Sequence, residues 1–489
     1  MATEMAGPAR DLATGDPAET SRPVSRPVLI GAAAALSLAI LGAFVSGDVK
    51  IAAALGALVV VGVLVWGLGL RTFAQFFVAA CCARPLVDLT AGPRGSGLAL
   101  TELFGVGVLA VMLCWLALQW RVVAARILAP LPLALVALVG VYLLAAVGST
   151  DPVGGIIATL RITTGVAVFF VVDALLATRR LRPVNVLHIV LLANVIPVLY
   201  PLLGLVGAPV THQKDDVTAL RSVYFLSNNF AFALVPVLLL AIAVAVRARG
   251  RMQWTAVAVT GVTFVELVLT QTRGAWIAGV VGALIVCALL NRAVAVAAIA
   301  ALLVAALTVP PITSRIANLA SSPDDPYSQS SFAWRLDQWS RLTPDLTVNP
   351  VLGGGPGQSN RLTGKEAHND YLKAAVETGG VGFAVYLWLL LASVSVSWRA
   401  WRRVPRDLRR VRALGARAPD ATLLVGGLAA TAAYSVAVMV GAIGENLIDN
   451  VTYLWATLPL FALAQWVASA DPEDLRRELG PAEPEEAQP

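Results

Sequence analysis

Long apolar runs recur along the chain from Val28 almost to Ala470, broken by short polar links rich in arginine. A helix needs roughly 20 apolar residues to cross about 30 Å of hydrocarbon. The runs therefore predict membrane-spanning helices near 28–46, 51–70, 72–88, 98–118, 127–148, 162–178, 184–206, 229–247, 252–270, 275–290, 293–310, 379–398, 421–442 and 449–468. This is the pattern of an all-α, polytopic integral membrane protein with about 12–14 transmembrane helices. The third run is short and ends at Arg84-Pro85, so a re-entrant segment is its alternative reading.

Composition excludes a water-soluble domain. Of 489 residues, 58% are hydrophobic and 13% charged, a balance far from that of globular chains. The net charge of +6 does not point to nucleic acid, because the arginines sit in links between apolar runs and form no basic face interleaved with aromatics. They set orientation instead. Arg179-Arg180-Leu181-Arg182, the link Arg247 to Arg251, and the eight arginines between Arg399 and Arg417 are expected in the cytoplasm. Counting spans keeps these links and both termini on that side and sends three longer links, 149–161, 207–228 and 311–378, outward. Residues 1–27 read as a disordered cytoplasmic tail without the marks of a signal peptide. Residues 28–470 form the transmembrane domain, with 311–378 as its large external loop and 399–420 as a basic cytoplasmic loop, and 471–489 read as an acidic cytoplasmic tail. Cys81, Cys82, Cys114 and Cys287 lie inside apolar runs without metal-ligand spacing, so they read as small buried hydrophobes.

A loop as long as 311–378 in a compact protein calls for a role. Within it, Phe332, Leu336 and Trp339 fall at spacings of four and three, opposite Arg335, Asp337 and Gln338, which predicts a short amphipathic helix at the membrane interface. The glycine-rich strip Asn349–Gly357 follows; it lacks the ending of a P-loop and suits close backbone approach or positive φ. Next comes a short helical pattern beginning near His368 and closed by Gly379-Gly380. A helix start disfavours an imidazolium and keeps the ring able to accept a proton, as a general base must. A hydrogen-bonded loop histidine is the plainer alternative. The pair Asp324-Asp325 has no further ligand cluster, so no metal site is read there.

Three blocks carry a resemblance. Leu352-Gly-Gly-Gly-Pro-Gly followed by His368-Asn369-Asp370-Tyr371-Leu372 and Glu377-Thr378-Gly379-Gly380-Val381-Gly382 resembles the external loop of the bacterial O-antigen ligase and polymerase superfamily. Thr270-Gln271-Thr272-Arg273-Gly274 is similar to its T-x-S-R-G segment, with Thr272 where serine is common. Arg221 to Ala231 is similar to its R-x-x-G-x-F-x-x-x-N block, with Val223 in place of the glycine. The resemblance implies a GT-C-like glycosyltransferase of the inner (cytoplasmic) membrane that works on its extracytoplasmic side without cofactor or metal. The implied donor is a glycan on a polyprenyl diphosphate, and the acceptor is a glycan or glycolipid. His368 would activate the acceptor hydroxyl in an inverting transfer, and Arg221 and Arg273 would hold the diphosphate. Arg335, Asn369, Tyr371 and Glu377 are further candidates, Glu377 as an orienting carboxylate. Guanidinium groups suit an anionic leaving group, because they bind phosphate oxygens in pairs and keep their charge. Arg161, just before the sixth predicted span, and the intramembrane carboxylates Glu102, Asp173, Glu266 and Glu445 are secondary candidates for bracing the arginines or lining a cavity. A polymerase joining lipid-linked repeats is the alternative within the enzyme class. A transporter or flippase is the alternative outside it.

Overall fold

The computed structural model describes residues 72–88, 100–206, 210–214, 217–224, 226–308, 313, 331–410, 419–448 and 450–479. They all fall within the compact unit Gly67–Pro489. The first two predicted spans, the amino-terminal tail and Asp324-Asp325 lie outside them.

Each apolar run that is described is a helix. In chain order these are α1 Phe73–Asp88, α2 Leu100–Leu118, α3 Trp120–Arg126, α4 Pro130–Val147, α5 Pro152–Ala177, α6 Pro183–Leu199, α7 Ser227–Arg247, α8 Gly250–Leu269, α9 Arg273–Leu290 and α10 Arg292–Thr308. The remaining helices are α11 Ser331–Leu342, α12 Asp345–Val348, α13 Gln358–Thr363, α14 Asp370–Arg403, α15 Arg406–Arg410, α16 Pro419–Gly441, α17 Val451–Ser469 and α18 Pro472–Leu479. Among the described residues, nine helices are long and apolar enough to cross a membrane, or ten if α2 and α3, bent by 84°, count as one span. The segment 72–88 is a 16-residue helix with Pro85 in its last turn. At about 1.5 Å per residue it is shorter than the hydrocarbon is thick.

Polar side chains sort the helix ends into two sets. At one end Arg126 grips Asp173 at 2.6 and 2.7 Å, Arg179 meets Asp474 at 2.7 Å, and Arg182 meets Asp420 at 3.1 Å. At the same end Arg247 donates to the carbonyls of Leu408 and Arg409, and Arg403 to that of Ala470. The predicted basic links thus share one end of the bundle. The opposite end carries the starts of α5, α14 and α17, each capped by a side chain: Asp151 accepts from Gly154 N, Asn369 from Leu372 N and Asn450 from Tyr453 N. Such caps stabilise a helix start by about 1 kcal/mol each. That end also holds the short antiparallel hairpin β1 Thr211–Lys214 and β2 Val217–Leu220, and the loop helices α11–α13.

Two elements differ from the sequence expectation. α5 starts at Pro152 and not near 162, because Asp151 and Pro152 supply a cap and a first-turn proline before the apolar run begins. Arg161 therefore lies inside the helix. α11 is amphipathic, but its residues do not sort as the spacing expects: Leu336 is 48% exposed, whereas Gln338 is buried and donates to Thr363 Oγ1 and the carbonyls of Lys365 and Glu366. Bonds to backbone carbonyls hold the amide in place, which spacing alone does not reveal.

The glycine strip explains the break in α14. Gly379 has a φ of 65° and interrupts the helix, and Gly353 has a φ of 68°. The strip crosses at the break, where Gly354 N donates to Val376 O at 3.0 Å, Gly355 N to Glu377 O at 2.9 Å and Gly380 N to Pro350 O at 2.8 Å. A Cβ at Gly353 would lie 2.5 Å from the Glu377 and Thr378 backbone, and one at Gly379 would overlap that of Val351. The strip is a backbone-to-backbone clasp that satisfies carbonyls freed by the break.

Candidate functional site

The site forms where the link between α16 and α17 meets the start of α14. Asp370 does the joining. It is fully buried, accepts hydrogen bonds from Leu447 N at 2.9 Å, Ile448 N at 3.1 Å and Tyr386 Oη at 2.9 Å, and its own N–H donates to Ala442 O. Tyr371 adds a bond from Oη to Met439 O at 2.9 Å. These contacts hold residues 439–448 against His368, so Glu445 comes within reach of the imidazole although 77 positions separate them.

Glu445 is the hub. Its Oε2 lies 3.2 Å from His368 Nδ1, and its Oε1 accepts from Arg335 Nη2 at 3.1 Å and from Asn228 Nδ2 at 2.8 Å. Asn228 Oδ1 in turn accepts from Thr272 Oγ1 at 3.1 Å. All three motif blocks therefore converge on one carboxylate: Asn228 from 221–231, Thr272 from 270–274 and His368 from the loop. An ionised carboxylate only accepts, so in the neutral ring this pairing selects the tautomer with the proton on Nδ1 and the lone pair on Nε2. The indole of Trp334 stands edge-on to the imidazole, with ring centroids 5.8 Å apart.

His368 adopts a φ of 49°, and Ser222 and Gln271 each have a φ of 54°. Left-handed backbone at a non-glycine residue is uncommon and costs about 1–3 kcal/mol, a pattern that clusters at functional sites. Of the four such positions among the described residues, three fall in the three motif blocks, beside Arg221, shortly before Arg273 and at His368 itself, and the fourth, Arg179, lies at the basic end.

A cavity of about 280 Å³ opens onto this cluster, lined among others by His368, Glu445, Asn228, Tyr224, Arg84 and Arg161. Its size approaches that of small-molecule sites. Burial, reinforced by the nearby Asp88 carboxylate, pushes the Tyr224 phenol above its ordinary value, so it stays a neutral hydroxyl.

The candidates read from sequence separate into groups. His368 and Arg335 meet through Glu445. Arg221 follows the hairpin, its N–H bonded to Val210 O, and Arg273 opens α9 directly after Thr272. The Arg221 block lines the cavity through Tyr224 and Asn228, and the Arg273 segment reaches it through the Thr272–Asn228 bond, but neither arginine belongs to the lining. Asn369 caps α14 and Tyr371 braces Met439. Glu377 is buried beneath the loop, accepting from Ser359 Oγ at 2.6 Å and Lys373 Nζ at 3.1 Å, while Lys373 also reaches Glu366 at 2.7 Å. The carboxylate beside the imidazole is Glu445, which the sequence offers only as one of several intramembrane acids. Asp370 and Arg84 had no distinguishing signal.

Asp370→Ala is expected to lower stability by about 3 kcal/mol or more, since it strands two buried N–H groups and a tyrosine hydroxyl. The thermal melting temperature of detergent-purified protein checks this, and Asp370→Asn should recover part of the loss.

Among known proteins, residues 258–387 match the family model described as O-antigen ligase. No curated protein matches the chain. The matched segment supplies Thr272, Arg273, Arg335 and His368, while Asn228 and Glu445 come from outside it. On that segment the chain is similar to the O-antigen ligase family, consistent with the superfamily resemblance carried by the motif blocks.

Proposed function

We propose that the chain transfers a glycan from a polyprenyl diphosphate to an acceptor hydroxyl, with His368 as the general base. The observation that carries this reading is the His368–Glu445 pairing at 3.2 Å on the wall of a cavity where the three motif blocks meet. His368 Nε2 takes the proton of the acceptor hydroxyl as its oxygen attacks the anomeric carbon. The new C–O bond forms as the bond from the anomeric carbon to the diphosphate oxygen breaks, and the polyprenyl diphosphate leaves with the electron pair. Attack from the face opposite the leaving group inverts the anomeric centre. Glu445 stabilises the imidazolium formed in this step, and a fixed base and acceptor supply much of the rate.

Arg221 and Arg273 are the guanidinium groups assigned to the diphosphate, Arg221 from the block that lines the cavity and Arg273 from the segment bonded to that block through Thr272 and Asn228. Asn369 and Tyr371 hold the start of α14, Glu377 supports the loop from below, and Arg335 holds Glu445 in place. Basic links at one end of the bundle belong in the cytoplasm by the positive-inside rule, which supports an extracytoplasmic position for His368 at the other.

Arg221→Ala/Arg273→Ala is expected to weaken donor binding by about a hundredfold, at one charge-assisted contact each; unchanged binding would remove both arginines from the donor site. The reading as a whole is tested by the envelope glycans of cells lacking the gene. Unattached full-length chains are expected for a ligase and single repeats for a polymerase. An unchanged glycan profile would overturn the transferase reading.

A further inference from the structure

His368 stands between two firmly held pieces of chain. On its carboxyl side, the Asn369 side chain caps α14 and the Asp370 N–H donates to Ala442 O. On its amino side, three consecutive peptide carbonyls are taken up by side chains of one helix. Gln338 of α11 donates to the carbonyls of Lys365 and Glu366, each at 2.9 Å, and Trp339 Nε1 donates to that of Ala367 at 2.8 Å. Gln338 Nε2 also meets Thr363 Oγ1 at 2.8 Å. An amide nitrogen carries two hydrogens, so it serves three oxygens by sharing one. The residue left between the two pieces is His368, with its φ of 49°. Such a backbone persists only where its surroundings over-determine it.

The same face of α11 reaches the other half of the pair. Arg335 lies three and four positions before Gln338 and Trp339, which puts all three on one side of the helix, and its Nη2 donates to Glu445 Oε1 at 3.1 Å. One helix therefore grips both the carboxylate and the peptide units that carry the imidazole. Two further contacts seat it: Lys365 Nζ lies 4.6 Å from the centre of the Trp334 ring that stands edge-on to His368, and the fully buried Leu342 clusters with Ala367 and Val376. Gln338 itself is 3% exposed. Burying an amide is unfavourable unless its hydrogen bonds are made, so these bonds decide where residues 365–367 lie.

We infer that Gln338 and Trp339 are positioning residues for the proposed reaction: they impose the left-handed backbone at His368 and, with Arg335 beside them, set the imidazole against Glu445. The inference rests on the transferase reading above and extends it to side chains that act through peptide carbonyls, away from the reacting atoms. With those carbonyls released, His368 relaxes toward negative φ and its ring moves with it. A misplacement of about 1 Å lowers a rate by about a hundredfold.

The first test needs no substrate. In the purified full chain, His368→Gly is expected to melt above His368→Ala, because glycine adopts positive φ without strain and alanine does not. Adding Gln338→Leu or Trp339→Phe should close or reverse that gap. A gap that is absent from the start, or that survives both substitutions unchanged, would overturn the inference. The second test is transfer kinetics. Trp339→Phe keeps a packed ring and loses the Nε1 donor, and it is expected to lower kcat about tenfold with donor KM near wild type. It carries the test even where Gln338→Leu fails to fold. Added to His368→Ala, Trp339→Phe should lower the residual rate no further; a further tenfold loss there would show that it acts elsewhere and overturn the inference. A wild-type kcat in Trp339→Phe and Gln338→Leu, beside an inactive His368→Ala, would overturn the inference and leave the transferase reading standing. Wild-type transfer by His368→Ala would overturn that reading, and the inference with it.

Discussion

His368→Ala is expected to reduce glycan transfer by about a hundred- to ten-thousandfold while leaving expression, melting temperature and donor binding close to wild type. The imidazole is 27% exposed and, among the described residues, its side-chain polar bond is to Glu445 alone, so the fold does not depend on it in the way it depends on Asp370. Removing the base raises the barrier for attack and leaves the diphosphate contacts alone. The measurement is initial rate against donor concentration: kcat falls and KM barely moves. Transfer at the wild-type rate by a folded His368→Ala protein would take the histidine out of the mechanism.

The second large effect belongs to Glu445. Glu445→Gln is expected to lower kcat on the order of a thousandfold, because an amide neither fixes the Nδ1 proton as a carboxylate does nor stabilises the imidazolium. Glutamine is the informative replacement. It can still accept from Arg335 and Asn228, whereas Glu445→Ala would leave Arg335 without the carboxylate it now meets at 3.1 Å, and breaking a largely buried ion pair destabilises by about 3–5 kcal/mol. Glu445→Asp should recover part of kcat. A Glu445→Gln variant with unchanged kcat would mean that the carboxylate serves only to hold α11 against the link.

Much of the architecture was legible because apolar runs of membrane length admit few alternatives. The spans at 229–247, 252–270 and 275–290 reappear as α7, α8 and α9 with ends shifted by a few residues. The basic links read as lying on one side do share one end of the bundle, through bonds such as Arg247 to Leu408 and Arg403 to Ala470. What composition could not show is where chain segments cross. The glycines at 353–357 and 379 were visible, but only the fold makes them a clasp across the break in α14. The burial of Gln338 in α11 follows from a hydroxyl and two carbonyls twenty-five or more positions away, which no local periodicity encodes.

The site was legible in part for the same reason. His368 stood out by residue type, loop position and the motif around it, and Arg335 by its place in the amphipathic helix. Glu445 lies in a short link with no periodic pattern of its own, and nothing near it in sequence names its partner. Asp370 was hidden inside a motif whose histidine drew attention, although it fixes the distance between the two groups. The apolar run starts late and so puts Arg161 before its span, while the cap at Asp151 starts the helix early. In each case the missing information was tertiary: which helix ends come together at one end of the bundle.

The most direct measurement uses purified protein in proteoliposomes, supplied with a polyprenyl-diphosphate glycan and an acceptor on the face that carries His368. Polyprenyl diphosphate should appear in an amount equal to the glycan joined to acceptor, with the anomeric configuration inverted, and both signals should vanish in His368→Ala. Movement of intact donor across the bilayer, with no polyprenyl diphosphate released and no glycan joined, would contradict transfer at this site.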